Sequence, residues 1–485
     1  MPPNQTPDQI MADLRIAAQR ISAGQPQEAV RICRRILERF TEEPKAFCAL
    51  GIALAHLGQF DEAVIAYQTA LRFKPDFFEA WTNLGSALAR RQQFNEALAA
   101  CTEAARLRPD IAEIQVNLSN ASRETWNLDQ AVSAAEYALK LRPTMAEAHL
   151  CLGAVRACQG KFDQAIESYR QVIRLRPDVP AAHLNLGLAL LVTGNLPAGW
   201  PEYEWRQRCP GVLAPTRFPQ PRWTGEPLNG KTILLQSEQG LGDAIHFIRY
   251  VPLVAARGGK VLVECPPPLA RLFSTIPGIE QVITTGQSIP NFDCHIALPS
   301  LPSVFNTTLE SIPASIPYLK PDEAAVQSWK DRINPKPGFR QIGLVWAGSP
   351  DNRNDRHRSI PLERFAPFFE TERAQFHSLQ IIPPPATPLP LSDWSKFLTD
   401  FAETAALIAN LDLVISVDTA PAHLAAALGK PVWLLIPFPP DWRWLLNRED
   451  SVWYPTIRLF RQPVPGDWQT PIDAVAQALL QLQKS

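Results

Sequence analysis

The chain has 485 residues, too many for one hydrophobic core, and about 150 residues per domain gives roughly three packed units. Its 47 Lys and Arg residues balance 48 Asp and Glu residues. The net charge of -1 excludes a protein that binds nucleic acid or anionic lipid through a globally basic field. The eight cysteines include no Cys-x-x-Cys pair, which favours reduced thiols over a disulfide scaffold or a zinc site.

The first residues, MPPNQTPDQI, lack the basic and then apolar order of a secretory signal. No run of about 18 apolar residues occurs in the chain, so we expect no transmembrane segment. Together with the thiols, this predicts a cytoplasmic protein. Only 12 of the 47 prolines precede residue 210, and this shift in composition predicts a domain boundary there.

The part before that boundary repeats. Prolines 75, 109, 143 and 177 recur every 34 residues, and each ends a phrase such as A-R-L-R-P. Small residues at fixed places, such as Gly51 and Ala63, allow two antiparallel helices to approach closely, and each pair leaves an apolar face for the next pair to cover. The pattern resembles the tetratricopeptide repeat. We therefore predict an α-helical solenoid of about five helix pairs over residues 1–208, with a concave groove.

Three asparagines occupy the same repeat position, on the first helix of a pair: Asn83, Asn117 and Asn185. Side-chain amides in a row can pair with the backbone of an extended peptide whatever its sequence, so these residues are candidates for binding a peptide. The alternative is a set of ordinary polar residues on a solvated face. Two repeats lack the asparagine and have Ala49 and Cys151 instead.

The second part is predicted to be α/β. After a connector (209–229), the strand K-T-I-L-L-Q (231–236) leads into Gly240-Leu241-Gly242-Asp243 and a helical pattern. Strand, glycine turn and helix open a doubly wound domain, which we place at 230–335. Strands are also expected at 260–265 and 292–298.

A second such domain is expected at 336–485. It opens with the strand Q-I-G-L-V-W-A-G-S (341–349), has a further strand at 376–381, and contains a strand, helix and strand between 411 and 437. The helix begins after Thr419 with Pro421 in its first turn, and its free amide groups would favour a diphosphate. The aromatic segment 441–455 is expected to pack structurally. In this fold class the final helix (471–483) crosses back to the first domain.

These motifs together resemble the GT-B class and, within it, glycosyltransferase family 9, the heptosyltransferase-like enzymes. The resemblance covers residues 231–485. It rests on Gly240 to Asp243, on the loop from Ser349 to Pro361, and on Ser416 to His423. It implies two Rossmann-like domains, a nucleoside-diphosphate sugar as donor and no cofactor.

The resemblance also implies roles for single residues. Asp243 would be the catalytic base facing the acceptor, and Arg358 would contact the donor phosphates. Thr419 and the amide of Ala420 would bind the diphosphate, with Asp418 near the donor sugar. The remaining candidates are Ser349 and His423 on the donor side, and Gly242 and His246 on the acceptor side. The alternatives are a helix cap for Asp243, a solvated loop for Arg358, and packing for the two histidines.

Departures from the family leave the donor open: arginine stands at 358 where lysine is usual, and Asp-Thr-Ala (418–420) replaces Asp-Thr-Gly. Repeats joined to a GT-B half resemble the architecture of O-linked N-acetylglucosamine transferases. We therefore predict an inverting transferase that glycosylates a protein or peptide docked by the repeats. Because no Asp-x-Asp occurs, we expect no metal requirement. An inactive adaptor, or a family 9-like enzyme acting on a cell-envelope glycan, is the alternative. The oligomeric state stays open at this point, and a homo-oligomer is one alternative, because repeat faces pair readily.

Overall fold

The computed structural model describes residues 7–210, 218–350, 352 and 354–482. It divides into two compact units, Met1–Ala182 and His183–Ser485. The sequence analysis placed the end of the repeat array at residue 208, but in this division residues 183–208 fall in the second unit. Each unit is described separately.

The first unit consists of antiparallel helix pairs, and the expected repeat fold is confirmed. Glycine and alanine lie where helices cross: a Cβ added to Gly51 would lie 2.5 Å from the ring of Tyr67, and Ala63 is fully buried. Large side chains here would force the helices apart. The helices are α1 (Pro7–Ser22), α2 (Pro26–Leu37), α3 (Pro44–His56), α4 (Phe60–Phe73), α5 (Phe78–Arg90), α6 (Phe94–Leu107), α7 (Ala112–Glu124), α8 (Leu128–Leu141), α9 (Ala146–Cys158) and α10 (Phe162–Leu175).

The sixth helix pair, one more than the five or so expected, is α11 (Pro180–Val192) and α12 (Leu196–Tyr203), followed by a 3-10 turn, Glu204–Arg208. Gly199 stands where the repeat pattern expects alanine. A Cβ there would lie 2.7 Å from the side chain of Leu191, so the closer approach of these two helices requires glycine.

The second unit contains two lobes, each built on a parallel sheet. The first lobe (218–319) has the strands β1 (Thr232–Gln236), β2 (Lys260–Cys265), β3 (Ile279–Thr284) and β4 (Cys294–Ala297) in the order β3-β2-β1-β4. Its helices are α13 (Leu241–Phe247), α14 (Val251–Ala255), α15 (Pro267–Phe273) and α16 (Leu301–Val304). The chain reverses direction across the sheet between β1 and β4, where doubly wound folds form their crevice.

The second lobe (323–482) has six strands in the order β10-β9-β8-β5-β6-β7, all parallel. They are β5 (Arg340–Val345), β6 (Ala374–Ser378), β7 (Leu391–Ser392), β8 (Leu413–Val417), β9 (Val432–Ile436) and β10 (Ile457–Arg461). The helices are α17 (Glu323–Ile333), α18 (Asp355–Arg358), α19 (Phe401–Ala409), α20 (Ala420–Ala427) and α21 (Gln469–Leu482). Here the crevice lies between β5 and β8. The expected fold class, a helical repeat solenoid followed by two Rossmann-like sheets, is confirmed.

Two helices differ from the sequence analysis in their packing. The sequence analysis placed α17 in the first domain, but Trp329 of this helix donates to Glu403 of α19 at 2.8 Å. The final helix, α21, was expected to cross back to the first domain. Instead it covers the second sheet, because Ile472 and Val475 complete the core around Ile342 and Leu435. Residues of the segment 441–454 do reach the first lobe, as in the ion pair of Arg443 with Asp243. Within the described ranges, no helix has the length and apolar character needed to cross a membrane.

Candidate functional site

The glycine turn after β1 presents Asp243 on the first turn of α13. Its Oδ2 accepts the amide of Gly240 at 2.9 Å, so the helix-cap alternative is part of its role. Its Oδ1 forms an ion pair with Arg443 of the second lobe. The Asp243 side chain keeps 23% of its exposure, whereas that of Arg443 keeps only 7%. The carboxylate therefore remains reachable from solvent while it is fixed in place.

The turn that carries Asp243 packs directly on the start of α20. A Cβ added to Gly242 would lie 3.1 Å from Cδ2 of His423 and 3.4 Å from Cα of Ala420. The lobes meet here with little space, so that even a methyl group at 242 would require the ring of His423 to shift slightly. The structure thus brings Gly242, Asp243, Ala420 and His423 together at one place between the two lobes.

The residues before α20 follow directly from β8, whose five residues are all buried. Thr419 is the N-cap residue, but its hydroxyl donates to the carbonyl of Val417 at 3.1 Å and makes no bond to the helix. Asp418 Oδ2 accepts the indole N–H of Trp444 at 2.9 Å. Burial raises the pKa of Asp418 to about 6, the charge of Asp441 adds to the rise, and the bond from Trp444 opposes it. Asp418 therefore titrates close to neutral pH.

Arg358 ends α18 beside this turn. Its guanidinium donates to the backbone carbonyl of Asp418 at 2.9 Å and to Oδ1 of Asp355 at 3.2 Å. A Cβ added to Gly348 would lie 2.5 Å from Arg358 Nη2, so the glycine after β5 makes room for the cation. Ser349, the next residue, is exposed. The structure therefore places Arg358 at the start of α20, whereas the side chain of Ser349 forms no hydrogen bond with any residue that the structure describes. Arg353, which belongs to the same basic loop, lies outside the described residues.

His246 and His423 come from different lobes and meet at one hydroxyl. Their Nδ1 atoms lie 3.0 Å and 2.9 Å from Oη of Tyr454. Burial lowers the pKa of both histidines well below the ordinary value, and nearby arginines lower it further, so both rings are neutral at pH 7. One hydroxyl hydrogen serves at most one of the two, so at least one ring carries its proton on Nδ1. His246 has 0% exposure and contacts the second lobe through Tyr454.

The segment 441–454 contains the residues that sequence reasoning did not assign to the site. Arg443 binds Asp243, and it donates to Asp441 at 2.9 Å. Burial alone would lower the pKa of Arg443, but Asp441 and Asp243 outweigh it and hold the pKa above its ordinary value. The density of Trp in this segment was the available signal. Packing was expected of it, and packing between Trp442 and Trp453 is present, with ring centroids 5.8 Å apart.

The asparagines of the repeats lie in two different units. Asn83 on α5 and Asn117 on α7 are half-buried in the first unit, and Asn83 donates to Sγ of Cys48 at 3.9 Å. Asn185 on α11 is half-buried in the second unit. Among the residues that the structure describes, no three His, Cys, Asp or Glu side chains form a group that could hold a metal ion.

Comparisons with known proteins agree with this architecture. Residues 51–92 and 157–194 match a TPR repeat model, and residues 78–111 match a tetratricopeptide repeat model. Residues 398–435 match the model of glycosyltransferase family 9 (heptosyltransferase). That match contains Asp418, Thr419, Ala420 and His423, whereas Asp243, Ser349 and Arg358 lie outside it. Both resemblances inferred from the motifs are confirmed.

One curated relative is Protein FlbA of Caulobacter vibrioides, 30% identical over 323 residues. The match covers 60% of this chain and 53% of FlbA, so the chain spans about half the length of this relative. Among solved structures, MamA from Desulfovibrio magneticus RS-1 is 24% identical, with a TM-score of 0.33, and covers 36% of this chain and 98% of MamA. TTC0263, a TPR protein of Thermus thermophilus, is 20% identical, with a TM-score of 0.33, covering 38% and 99%. The chain thus joins tetratricopeptide repeats to a segment of glycosyltransferase family 9 type.

Proposed function

We propose that this chain is a glycosyltransferase that moves a sugar from a nucleoside-diphosphate sugar to a protein or peptide bound by the repeats. The transfer inverts the anomeric centre, needs no metal ion and takes place in the cytoplasm. The observation that carries the proposal is the contact of Gly242 with Ala420 and His423. Through it, the candidate base of one lobe and the candidate phosphate-binding helix of the other share one site.

The donor diphosphate is assigned to the start of α20. The first amides of a helix have no partners within it, and together with the helix dipole they favour an anion. Pro421 removes one of these amides but leaves that of Ala420. Arg358 supports the assignment, because its guanidinium is held 2.9 Å from the carbonyl of Asp418, one turn from these amides. The helix and Arg358 would together hold the charge that develops on the leaving diphosphate.

The proton of the acceptor is assigned to Asp243. The acceptor hydroxyl oxygen attacks the anomeric carbon, the bond from that carbon to the diphosphate oxygen breaks, and the hydroxyl proton passes to the carboxylate. Asp243 is suited to this because Gly240 and Arg443 fix the side chain while part of it stays exposed. Arg358 and α20 supply positive charge without a metal, which supports metal-independent transfer.

The acceptor is assigned to the repeats. Asn83 and Asn117 are half-buried polar side chains at equivalent positions of consecutive repeats. Amides at a regular spacing suit an extended peptide, whose backbone offers a donor and an acceptor at every residue.

The test begins with a thermal-shift panel of UDP, GDP, ADP and dTDP on the full chain, because a bound diphosphate raises the melting temperature by mass action. The matching nucleotide sugars are then incubated with candidate proteins, with small glycans and with EDTA, and products are detected by mass. We expect one diphosphate to stabilise the chain, and transfer to a protein that continues in EDTA. Asp243→Asn should lower transfer by about 100-fold or more while the diphosphate still binds.

Each other outcome contradicts a stated part of the proposal. A folded chain that no diphosphate stabilises is an adaptor rather than an enzyme. Transfer to small glycans alone identifies a family 9-like glycan enzyme. Loss of transfer in EDTA, restored by a divalent cation, contradicts metal independence, and retained activity of the Asp243→Asn variant removes Asp243 as the base.

A further inference from the structure

Arg206, in the 3-10 turn after α12, is completely buried. Its guanidinium donates to Oε1 of Glu238 at 2.5 Å, to Oε1 of Glu204 at 2.7 Å and to Oγ of Ser300 at 2.6 Å. Glu204 also pairs with Arg222. The two arginines, 206 and 222, are therefore balanced by the two glutamates, 204 and 238. A buried cation such as Arg206 requires this balance of charge.

The partners of Arg206 mark the crevice of the first lobe. Glu238 lies two residues after the end of β1, and Ser300 lies three residues after the end of β4. These strands are neighbours at the point where the chain reverses direction across the sheet, the usual place for a ligand in this fold. In this chain the side chain of Arg206 bridges the two loops that border that crevice.

A second contact reaches closer to Asp243. The hydroxyl of Tyr203 accepts from the side-chain amide of Gln239 at 2.9 Å. Gln239 has a φ of 68°, a conformation that non-glycine residues rarely adopt and that needs support from neighbouring contacts. The next residue, Gly240, donates its amide to Asp243. The loop 237–240 is therefore held at consecutive residues by Arg206 and Tyr203.

Residues 200–206, which include Tyr203 and Arg206, also contact the second lobe. Trp200 of α12 packs edge-on against Trp442, with ring centroids 5.4 Å apart, and Trp442 precedes Arg443. The indole N–H of Trp200 donates to the carbonyl of Thr307 in the first lobe at 2.8 Å. Residues 200–206 thus contact the loop before Asp243 and the residue before its ion-pair partner.

We propose that Arg206 is a positioning residue for sugar transfer: by binding Glu238 and Ser300 it fixes the loop 237–240, and through that loop the carboxylate of Asp243. The inference rests on the proposed function. It makes the last helix pair of the repeats part of the acceptor side of the site, rather than a linker to it. Tyr203 acts in the same way at Gln239.

The test compares the full chain with Arg206→Met and Arg206→Lys. Hydrogen exchange of the amides in 237–243 is the first readout and needs no substrate. We expect Arg206→Met to speed this exchange at least tenfold and Arg206→Lys to restore part of the protection. Arg271→Met is the matched control, because Arg271 also binds two carboxylates, Asp400 and Glu403, far from this loop in the chain. It should leave the exchange of 237–243 unchanged.

The second readout is transfer, measured once a donor and an acceptor are known. We expect Arg206→Met to lower kcat at least tenfold, with the Kd of the nucleoside diphosphate unchanged and partial rescue by Arg206→Lys. A variant that melts earlier but keeps wild-type loop exchange and wild-type kcat would show a merely structural role and overturn the inference. If Arg206→Met does not fold, Tyr203→Phe and Ser300→Ala, which each remove one hydroxyl, are judged by the same two readouts.

The two proposals fail in different ways. A wild-type chain that transfers no sugar defeats the proposed function, whereas normal loop exchange in the folded Arg206 variants defeats the positioning role. If the Arg206 variants exchange faster but the wild-type chain transfers no sugar, the result establishes only that Arg206 holds the loop 237–240. The positioning role and the proposed function are then both wrong.

Discussion

Arg443 and Asp243 lie in different lobes, 200 residues apart in the chain, and form an ion pair. Trp444, the residue after Arg443, donates to Asp418. Two consecutive side chains of one loop therefore bind one carboxylate from each lobe, Asp243 of the first and Asp418 of the second.

This ion pair predicts unequal costs for removing its members. Arg443→Gln leaves Asp243 and Asp441 without their buried cation and should lower the free energy of unfolding by about 3–5 kcal/mol. Asp243→Asn should cost less, about 1–3 kcal/mol, because Asp243 is partly exposed and Arg443 keeps Asp441. Urea denaturation of both single variants and the double variant measures these costs. The double variant should lose less than the sum of the single losses, and strict additivity would contradict the pairing.

The raised pKa of Asp418 predicts a stability difference that depends on pH. Because the folded state holds the proton more tightly than the unfolded state, the contribution of Asp418 is complete below about pH 4. It is lost as the pH rises from 3.8 to about 6. Asp418→Asn does not ionise, so relative to wild type it should gain up to about 3 kcal/mol between pH 4 and pH 7.

Denaturation at pH 4.5 and 7.5 measures that gain. Asp473→Asn, a change in the exposed carboxylate that accepts from Gln469, is the control and should show no such gain. Equal stability differences at both pH values for Asp418→Asn would contradict the raised pKa.

The hydroxyl shared by His246 and His423 predicts a large effect of one atom. Tyr454→Phe leaves two buried ring nitrogens without this partner and should lower the free energy of unfolding by about 2–5 kcal/mol. Tyr250→Phe is the matched control, because among the residues that the structure describes its buried hydroxyl bonds to Thr307 alone, at 2.9 Å. It should cost about half as much. A Tyr454 variant no less stable than the Tyr250 variant would argue against the shared bond.

The close approach at Gly242 predicts weaker donor binding in Gly242→Ala. The added methyl group would lie 3.1 Å from Cδ2 of His423, so this side chain of α20 must shift by a few tenths of an ångström to accept it. We expect nucleoside-diphosphate affinity to fall roughly tenfold, equivalent to about 1.4 kcal/mol, in isothermal titration. The melting temperature without nucleotide shows whether the variant is folded. Unchanged affinity in a folded variant would contradict the assignment of the diphosphate to the start of α20.

The asparagines predict an effect on the acceptor alone. Asn83→Ala with Asn117→Ala should raise the acceptor KM about 25-fold, because about 1 kcal/mol per lost hydrogen bond corresponds to a factor of about five for each side chain. Donor affinity should not change. Asn95→Ala, an exposed asparagine on the second helix of the same repeat as Asn83, is the control. A KM unaffected by the double change would favour an acceptor bound elsewhere.

Much of the fold can be predicted from the sequence, because it depends on local periodicity. The spacing of prolines and small residues specifies helix pairs, and a buried strand followed by glycines and a capped helix specifies each Rossmann-like unit. The packing of α21 could not be predicted in this way. Its apolar face could cover either sheet, and only the packing around Ile342 and Leu435 selected the second one.

The candidate site shows the same difference between local motifs, which the sequence can predict, and contacts between distant residues. From the sequence alone, the turn at Gly240 to Asp243, the start of α20 and Arg358 could be predicted as candidates, because short motifs of glycine, capping and charged residues mark them. The tertiary structure alone revealed that Arg443 pairs with Asp243, that Tyr454 joins His246 to His423, and that Arg206 binds Glu238 and Ser300. These contacts link residues between 31 and 208 positions apart. No spacing rule connects such residues, since burial of their charges and hydroxyls is decided only when the sheets and loops pack together.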